Sequence, residues 1–452
     1  MPISDKHPLL NKQIKKAKIT SDVLEDNVTH YVPKLSEQTT EEFKAYVGRP
    51  VLHNFTSRVL QGLSGLVFGK DIKIDVSPTL ENMLQDISLS NTTITDLAGD
   101  LFTEVMTKGR VGLLVDMAYA KEGLTKAEAE SQNLRPYVSK YTHSSIINWK
   151  YSNINNEIKL TLVVLEESRL INNGDEFSHD SEVVYRVLRL VDGIYTVDLY
   201  DEEGKVLQDT ITPYIRGKTM DFIPFISITT EFLSLSPEKP PMYDIASLNL
   251  AYFKIDVDYY HGMHFTALPT PYGAGTNIDK NEKVKVGSTS FMMFSDPQAK
   301  LSYLEFSGDG LGTHEREKEN LFNSIVALSG TLLKNDQGRE SENTVRMRNK
   351  SQYASLSSTA NTISRGITKA LEYMEMWTGG TQKVEFKLNT DFTDITADAQ
   401  TITATVNAWL SGSLSDREVF DKFKQDGVII NQNKTYDEHL EEIEVNKIDV
   451  IQ

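Results

Sequence analysis

The stretch PPMYDIASLNLAYFKIDVDYYHGMHFTALPTPYGAG, residues 240–275, decides how this chain is organised. Within it Leu248, Tyr252 and Tyr259 recur at spacings of four and seven residues, a periodicity that predicts an α-helix. Charged and imidazole side chains interrupt the apolar positions too often for a membrane span. Proline pairs and glycines on either side mark where the helix begins and ends. We therefore expect a strut that packs on neighbours over most of its surface.

The composition limits what the rest of the chain can do. Among 452 residues, 39% are hydrophobic and 25% are charged, which is compatible with a folded protein of several domains. The absence of cysteine excludes disulfides, thiolate metal sites and a cysteine nucleophile. We see neither a signal peptide nor a membrane-spanning run, and expect a soluble protein made inside the cell.

Charge is distributed unevenly along the chain. A net charge of −17 disfavours a protein that grips nucleic acid over a broad surface, because each phosphate contact needs a basic group. An acidic wall would instead let DNA slide past. Residues 388–452 carry thirteen acidic and five basic side chains, whereas residues 344–369 carry five basic and no acidic ones. Either segment could equally be an ordinary solvated surface.

Apolar periodicity predicts two helices before the strut. One stripe comprises Val51, Phe55, Val59, Leu63 and Leu66. A second comprises Ile94, Leu97, Leu101 and Val105, with Gly109 placed as a C-terminal cap. Between residues 136 and 231 the pattern changes to alternation broken by Gly- and Asn-rich turns, which predicts an antiparallel sheet or small barrel.

The chain after the strut has an unusual order of elements. A compact β piece at 269–308 is followed by a helix near 313–333, a polar loop at 334–343 and a helix of more than 30 residues at 344–379. The Ser/Thr-rich middle of that long helix is a weak helix former, so tertiary packing must hold it. We expect a strand at 384–388 and then three further helices, near 395–411, 415–425 and 436–445.

Motifs of catalysis are missing from the sequence. His261 and His264 could share a helix face, but the glutamate of the HExxH zinc motif is absent and no third ligand lies nearby. The GDGLG segment at 308–312 lacks the lysine of a phosphate-binding loop, and no GxSxG nucleophile elbow occurs. We therefore predict no enzymatic activity, no cofactor and no metal site.

Several segments in a fixed order carry a resemblance. They are YVGRPVLHNFTSRVLQGLSGLVF (46–68), EVMTKGRVGLLVDM (104–117), PPMYDIASLNLAYFKIDVDYYHGMH (240–264), LPTPYGAG (268–275) and SYLEFSGDGLGTHEREKENLFNSIVALSGTLL (302–333). In this order they resemble the bacteriophage portal family exemplified by the SPP1-type rings, and more closely a phage subfamily formerly filed as a domain of unknown function. No single segment is specific, and none is a catalytic signature.

The resemblance implies an α+β portal fold with long helices, a β-rich wing insertion and a small β clip. Its regions would be a wing at 1–240 (helical at 1–135, β-rich at 136–231), a first stem helix at 241–267, a clip at 268–310, a second stem helix at 311–330, a tunnel loop at 331–343, a long helix with a returning wing strand at 344–389, and a helical crown at 390–452.

The resemblance also implies a function and partners. Portal proteins form rings, usually dodecamers, at one vertex of the virion capsid, and serve as the conduit for genome packaging and ejection. The implied partners are other copies of the chain, the major capsid protein, the terminase large subunit, a head-tail adaptor and the double-stranded DNA in the channel, with no membrane. The protein would be made in the cytoplasm of a bacterial host.

Site residues follow from the same comparison. Candidates for the DNA channel are Lys334, Arg339, Arg346, Arg348 and Lys350, the last three of which could equally form salt bridges to a neighbouring subunit. Candidates for partner binding at the clip are Lys280, Lys283 and Lys285, which could equally protect an edge strand. Candidates for contacts between stem helices of adjacent subunits are Tyr252, Tyr259 and Gly262. We expect Asp256, Asp258, His261 and His264 to face a neighbouring subunit or the channel.

Two other functions remain open at this point. A different ring-forming head-tail connector or adaptor would lack two stem helices that bracket a small β piece. A soluble enzyme with an unrecognised site would be a monomer or small oligomer with a polar pocket. The mass of the native assembly distinguishes all three.

Overall fold

A computed structural model of the protein describes residues 3–117, 132–171, 177, 180–268, 270–274, 297–304, 308–329, 342–392, 399–425, 429 and 434–449. The fold is α+β, as expected from the sequence. The chain divides into two compact units, Met1–Thr390 and Asp391–Gln452. Within the part of the chain that the structure describes, no helix is both long enough and apolar enough to cross a membrane.

Helices make up the start of the first unit. They are α1 (Leu10–Leu24), a 3-10 turn (Thr29–Tyr31), α2 (Thr40–Val47), α3 (Phe55–Phe68), α4 (Pro78–Glu81) and α5 (Ile94–Lys108). The predicted stripe of α5 is confirmed, since all four of its apolar residues are buried. A capping box at Thr93 starts α5, and Gly109 ends it with a φ of 76°, in the left-handed region that favours glycine.

The helix predicted to include Val51 begins later than expected. The side chain of Asn54 accepts a hydrogen bond from the backbone of Ser57 and so caps α3, which starts only at Phe55. Val51 precedes the helix and is 76% exposed, so its place in the apolar stripe is wrong. Arg49, the residue before Pro50, avoids the helical conformation, so no helix runs through this segment into Val51.

Antiparallel sheets follow, as the alternating pattern predicts. The strands are β1 (Lys73–Asp75), β2 (Arg110–Met117), β3 (Pro136–Tyr141), β4 (Ile146–Ile154), β5 (Glu157–Leu170), β6 (Ser181–Val191), β7 (Ile194–Tyr200), β8 (Tyr214–Ile215), β9 (Lys218–Thr219) and β10 (Phe225–Thr229). One sheet has the order β10-β2-β3, and another is the meander β4-β5-β6-β7. Asp192 and Gly193, with φ of 50° and 78°, form the predicted turn between β6 and β7.

A buried arginine holds these sheets together. Arg110 is 0% exposed, and its guanidinium donates to the carbonyl oxygens of Leu235, His143 and Ile146 at 2.6, 2.9 and 2.9 Å. It also lies over the ring of Trp149, with 4.8 Å to the centroid. Burial lowers the pKa of Arg110 to about 9.

The remaining elements of the first unit are α6 (Tyr243–Ala267), β11 (Thr270–Ala274), β12 (Lys300–Leu304), α7 (Leu311–Ser329), α8 (Glu342–Thr378) and β13 (Glu385–Lys387). The strut is thus a helix of 25 residues, as predicted. Its buried face differs from the stripe expected at Leu248, Tyr252 and Tyr259. The buried apolar residues are Ile245, Ala246, Leu250, Phe253 and Val257.

Hydroxyl groups on α8 hold the strand β13. Thr368 Oγ1 donates to Phe386 O at 3.2 Å and accepts from Phe386 N at 3.0 Å. Ser364 Oγ accepts from Leu388 N at 3.0 Å. On its other edge β13 pairs with β1 in an antiparallel ribbon. We call this row of hydroxyl groups, Ser364 and Thr368, the hydroxyl rail of α8, because it binds the backbone of β13. Its bonds are part of the tertiary packing that a helix with a Ser/Thr-rich middle needs.

The second unit contains α9 (Ala399–Leu410), α10 (Asp416–Gln425) and α11 (Tyr436–Asp449), the three helices predicted for the acidic end. The ring of Phe420 packs against Tyr436 and His439 at centroid distances of 5.4 and 4.9 Å. Trp409 Nε1 donates to Asp416 Oδ1 at 2.6 Å and links α9 to α10.

Candidate functional site

Helices α6 and α7 form an antiparallel hairpin. Gly262 lies beside Leu311, and Tyr259 Oη donates to Glu315 Oε1 at 2.7 Å. Residue numbers therefore increase along α7 in the direction in which they decrease along α6, so the two helices are antiparallel. The ribbon β11–β12 lies between the two helices in sequence, with Thr270 opposite Leu304. This is the helix, β piece, helix order on which the portal resemblance depends.

A buried ion pair joins the two helices near the middle of α6. Asp256 is 1% exposed, and its carboxylate pairs with the ammonium of Lys318 on α7. The ammonium also lies over the rings of Tyr259, Tyr252 and Tyr260, at 4.6, 5.4 and 5.8 Å from their centroids. Burial lowers the pKa of Lys318, but the hydrogen bond and charge of Asp256 outweigh it and raise the pKa overall.

A fully buried amide fixes α6 to the start of α3. Asn249 Oδ1 accepts from the backbone nitrogen and the hydroxyl of Thr56, at 3.1 and 3.0 Å, and its Nδ2 donates to His53 O at 2.9 Å. The ring of His53 also lies 3.9 Å from the carboxylate of Asp256. The amide of Asn249 is therefore paired inside one chain, and it anchors α6 to α3.

The opposite side of α6 packs on the end of α2 and on the residues that follow it. Tyr46 Oη donates to the carboxylate of Asp258. Arg49 Nη1 lies 3.1 Å from His261 Nδ1, so that nitrogen is an acceptor and the ring is neutral. Burial, and then the charge of Arg49, lower the pKa of His261. A nitrogen occupied by a guanidinium is poorly placed to bind a cation, and the described residues contain no group of three potential metal ligands.

The structure places the three stem candidates inside the hairpin. Tyr252 packs edge-on against Phe55 at 5.3 Å, Tyr259 bonds Glu315, and Gly262 meets Leu311. Their contacts with a neighbouring subunit stay a prediction. The expectation for Asp256 is wrong, because this carboxylate is sealed inside a single chain by Lys318 and faces neither a neighbour nor a channel.

Most of the basic candidates lie outside the described residues. These are Lys280, Lys283, Lys285, Lys334 and Arg339, together with the tunnel loop itself.

Arg346, Arg348 and Lys350 lie on the first turns of α8. Residues four apart share a helix face and residues two apart do not, so Arg346 and Lys350 share a face that excludes Arg348.

The far half of the hairpin exposes large apolar side chains. They are Tyr260 (37%), Met263 (40%), Phe265 (47%), Tyr272 (49%) and Tyr303 (54%). The two ribbon tyrosines lie on opposite faces, since Tyr272 pairs with Ser302 while Tyr303 pairs with Pro271. Among the described residues, the core that covers Phe253 and Val257 does not extend to this half. Such a surface marks a site of contact with another molecule.

Comparison with known proteins gives one family match. A family described only as a domain of unknown function (DUF4055) matches residues 241–378, which include the hairpin, its ribbon and α8. No curated protein matches the chain.

The solved structures that the chain resembles include chains of gene transfer agent (GTA) particles. For the neck of an empty particle computed with C6 symmetry, the TM-score is 0.41 at 11% identity, over 87% of this chain and 95% of that chain. For the neck of a native particle computed with C12 symmetry, the TM-score is 0.37 at 11% identity, over 88% of this chain and 94% of that chain. For the virion of a native particle, the TM-score is 0.38 at 9% identity, over 91% of this chain and 99% of that chain. All three TM-scores lie below 0.5.

Proposed function

We propose that this chain is the subunit of a portal ring, through which double-stranded DNA enters and leaves a phage capsid at one vertex. The observation that carries the proposal is the α6–α7 hairpin, whose far half exposes aromatic side chains on more than one side. A closed ring needs a different contact surface on each flank of every subunit. The order of elements that resembles portal proteins supports the same conclusion.

The charges of the chain suit a conduit better than a DNA-binding surface. With a net charge of −17, tight and broad contact with phosphates is unfavourable. A local basic face at the start of α8, formed by Arg346 and Lys350, would allow brief phosphate contact at one level of the channel. The hairpin helix α7 alternates acidic and basic residues over HEREKE, 314–319, and its side chains there are mostly exposed.

The regions of the ring follow the resemblance. Helices α6 and α7 would be the stem, and residues 268–310 the clip that meets the terminase large subunit and later the head-tail adaptor. Residues 390–452 would be the crown, on the capsid side, and the wing would contact the major capsid protein. A dodecamer in the virion is the expected assembly. The chain would supply no ATPase activity, because the terminase drives packaging.

Native mass spectrometry of the purified protein, alone and with capsid protein, tests this proposal. We expect a discrete species with the mass of a closed ring, and end-on particle images with a central opening. A stable species far below ten subunits under every condition would rule out the portal function.

A further inference from the structure

One flank of the α6–α7 hairpin carries an open groove. Its volume is about 330 Å³, and its lining includes Gly262, Phe265, Thr266, Gly310 and Leu311. Three glycines line it, Gly262, Gly308 and Gly310, and of these Gly310 has open space where a side chain would stand. A Cβ at Gly310 would meet nothing within 4 Å, so this part of the groove is empty among the described residues.

The other flank of α6 carries a ridge at the same height. Tyr260, Met263 and His264 are spaced as neighbours on one helix face. At about 100° per residue, Tyr260 and His264 lie roughly 200° around the helix from Gly262 and Met263 lies about 100° from it, so the ridge points away from the groove. The ridge continues the buried stripe that ends at Val257, but its own side chains are exposed, with Tyr260 at 37% and Met263 at 40%.

Charges differ between the two flanks. Glu315 bonds Tyr259, next to the ridge, and Glu319 lies one turn further along the same exposed face of α7. Arg49 stands on the groove side, because it bonds His261, whose ring contacts Phe265 at 4.7 Å. The carboxylate of Asp258 also lines the groove, so the ridge flank is acidic whereas the groove flank carries charges of both signs.

We propose that the ridge of one copy seats in the groove of the next copy, head to tail, with Met263 entering the space beside Gly310. This interface rests on the proposed ring and specifies which flank meets which. The β11–β12 ribbon also needs a contact on each of its two faces, since Tyr272 and Tyr303 are exposed on opposite faces. A second copy on each side covers both tyrosines, whereas one partner on one side covers only one of them.

Two variants block the interface from opposite sides. Gly310→Phe adds an aromatic ring to the groove at a position where a Cβ meets nothing within 4 Å, and Met263→Glu places a charge on the ridge. Gly312→Phe and Met263→Leu are the matched controls, since a Cβ at Gly312 also meets nothing within 4 Å and leucine keeps the ridge apolar. We expect the two blocking variants to lose the ring mass in native mass spectrometry, and the two controls to keep it.

Mixing the blocking variants gives the decisive measurement. Gly310→Phe retains its ridge and Met263→Glu retains its groove, so an equimolar mixture should form heterodimers and nothing larger. Unchanged far-ultraviolet circular dichroism shows that each variant is folded.

The inference falls if wild-type rings form and both blocking variants also form them, or if the controls fail equally. It also falls if one variant dimerises alone. A wild-type protein that forms no ring contradicts the portal proposal itself.

Discussion

The ammonium of Lys318 lies against the carboxylate of Asp256, and this contact between α7 and α6 is buried within one chain. Asp256 is 1% exposed, whereas the side chain of Lys318 is 17% exposed. The two ends of the pair are therefore unequal. A carboxylate left in this interior without its cation has no route to water, while the longer lysine side chain can swing toward solvent.

We predict an asymmetric response to breaking this pair. Lys318→Met should lower the free energy of unfolding by about 3 kcal/mol or more, because it strands a buried charge. Asp256→Asn should cost about 1 kcal/mol, since Lys318 can reach solvent. Urea unfolding at pH 7 measures both.

The double variant Asp256→Asn, Lys318→Met should recover much of the loss of Lys318→Met. Equal losses in the two single variants would show that the pair is accessible to water.

The sequence predicts the hairpin helices better than it predicts their contacts. The stripe of α5 and its cap at Gly109 are local signals, and both are confirmed. On α6, apolar or aromatic residues recur every three or four positions on more than one face. Since tyrosine can be either buried or exposed, the pattern does not identify the buried face. Periodicity shows that a helix forms, but it does not show which face meets which neighbour.

A weak signal of the buried ion pair does exist in the sequence. Leu311, Lys318 and Ile325 are seven residues apart on α7, so the lysine occupies a position in an apolar stripe. On α6, Asp256 stands three residues after Phe253 and four before Tyr260, on the same helix face. A charged residue at an apolar position on each of two helices indicates that the two charges pair with each other. Because the two residues are far apart in sequence, the sequence alone does not show which charges pair.

Gly262 is expected to be sensitive to added volume. A Cβ there would lie 2.8 Å from Leu311 Cδ2, so Gly262→Val should overpack the hairpin and cost about 1–3 kcal/mol in unfolding free energy. The control Gly65→Val lies in α3, where a Cβ meets nothing within 4 Å, and should be nearly neutral. Thermal unfolding of both proteins tests the difference, and equal melting temperatures would contradict the contact.

The hydroxyl rail on α8 can be tested with isosteric variants. Thr368→Val removes both bonds to Phe386 and should cost about 1–3 kcal/mol. Thr359→Val removes only a bond to Ser355 O in the same helix and should cost less than about 0.5 kcal/mol. Hydrogen exchange at the Phe386 amide should accelerate in the first variant alone; unchanged protection there would show that the rail is not needed.

A buried histidine predicts a loss of stability in acid. Burial, followed by the charges of Arg110 and Lys108, lowers the pKa of His143 from 6.5 to about 3. The folded state therefore prefers the neutral ring, and its advantage is full above pH 6.5 and is lost as the pH falls toward 3. Between pH 7 and pH 4 this histidine should remove about 3 kcal/mol of unfolding free energy.

The control for this prediction is His143→Phe, which keeps an aromatic ring but cannot be protonated. Its urea unfolding curves should shift less between the two pH values than those of the wild-type protein. Parallel shifts in the two proteins would mean that other groups cause the acid sensitivity.

The basic start of α8 can be tested through its salt dependence. If Arg346 and Lys350 face DNA together, changing both to glutamine should reduce the slope of log affinity against log salt by about two. Arg348→Gln, on the other face, should leave the slope nearly unchanged. Fluorescence anisotropy with a short duplex measures the slopes of the purified assemblies, and equal effects of the two changes would exclude a shared DNA-facing side.

The rail on α8 also has a mechanical consequence. Thr368, Ser364 and Ser357 bond the backbone of residues 386–390, the last stretch of the first unit before Asp391. A pull on the chain directed along that strand would strain these bonds and the β1 pairing together, in shear, instead of opening them one after another. A force applied to the chain at residue 391 would therefore be borne first by these hydrogen bonds. The interior of the first unit would experience it only after they break.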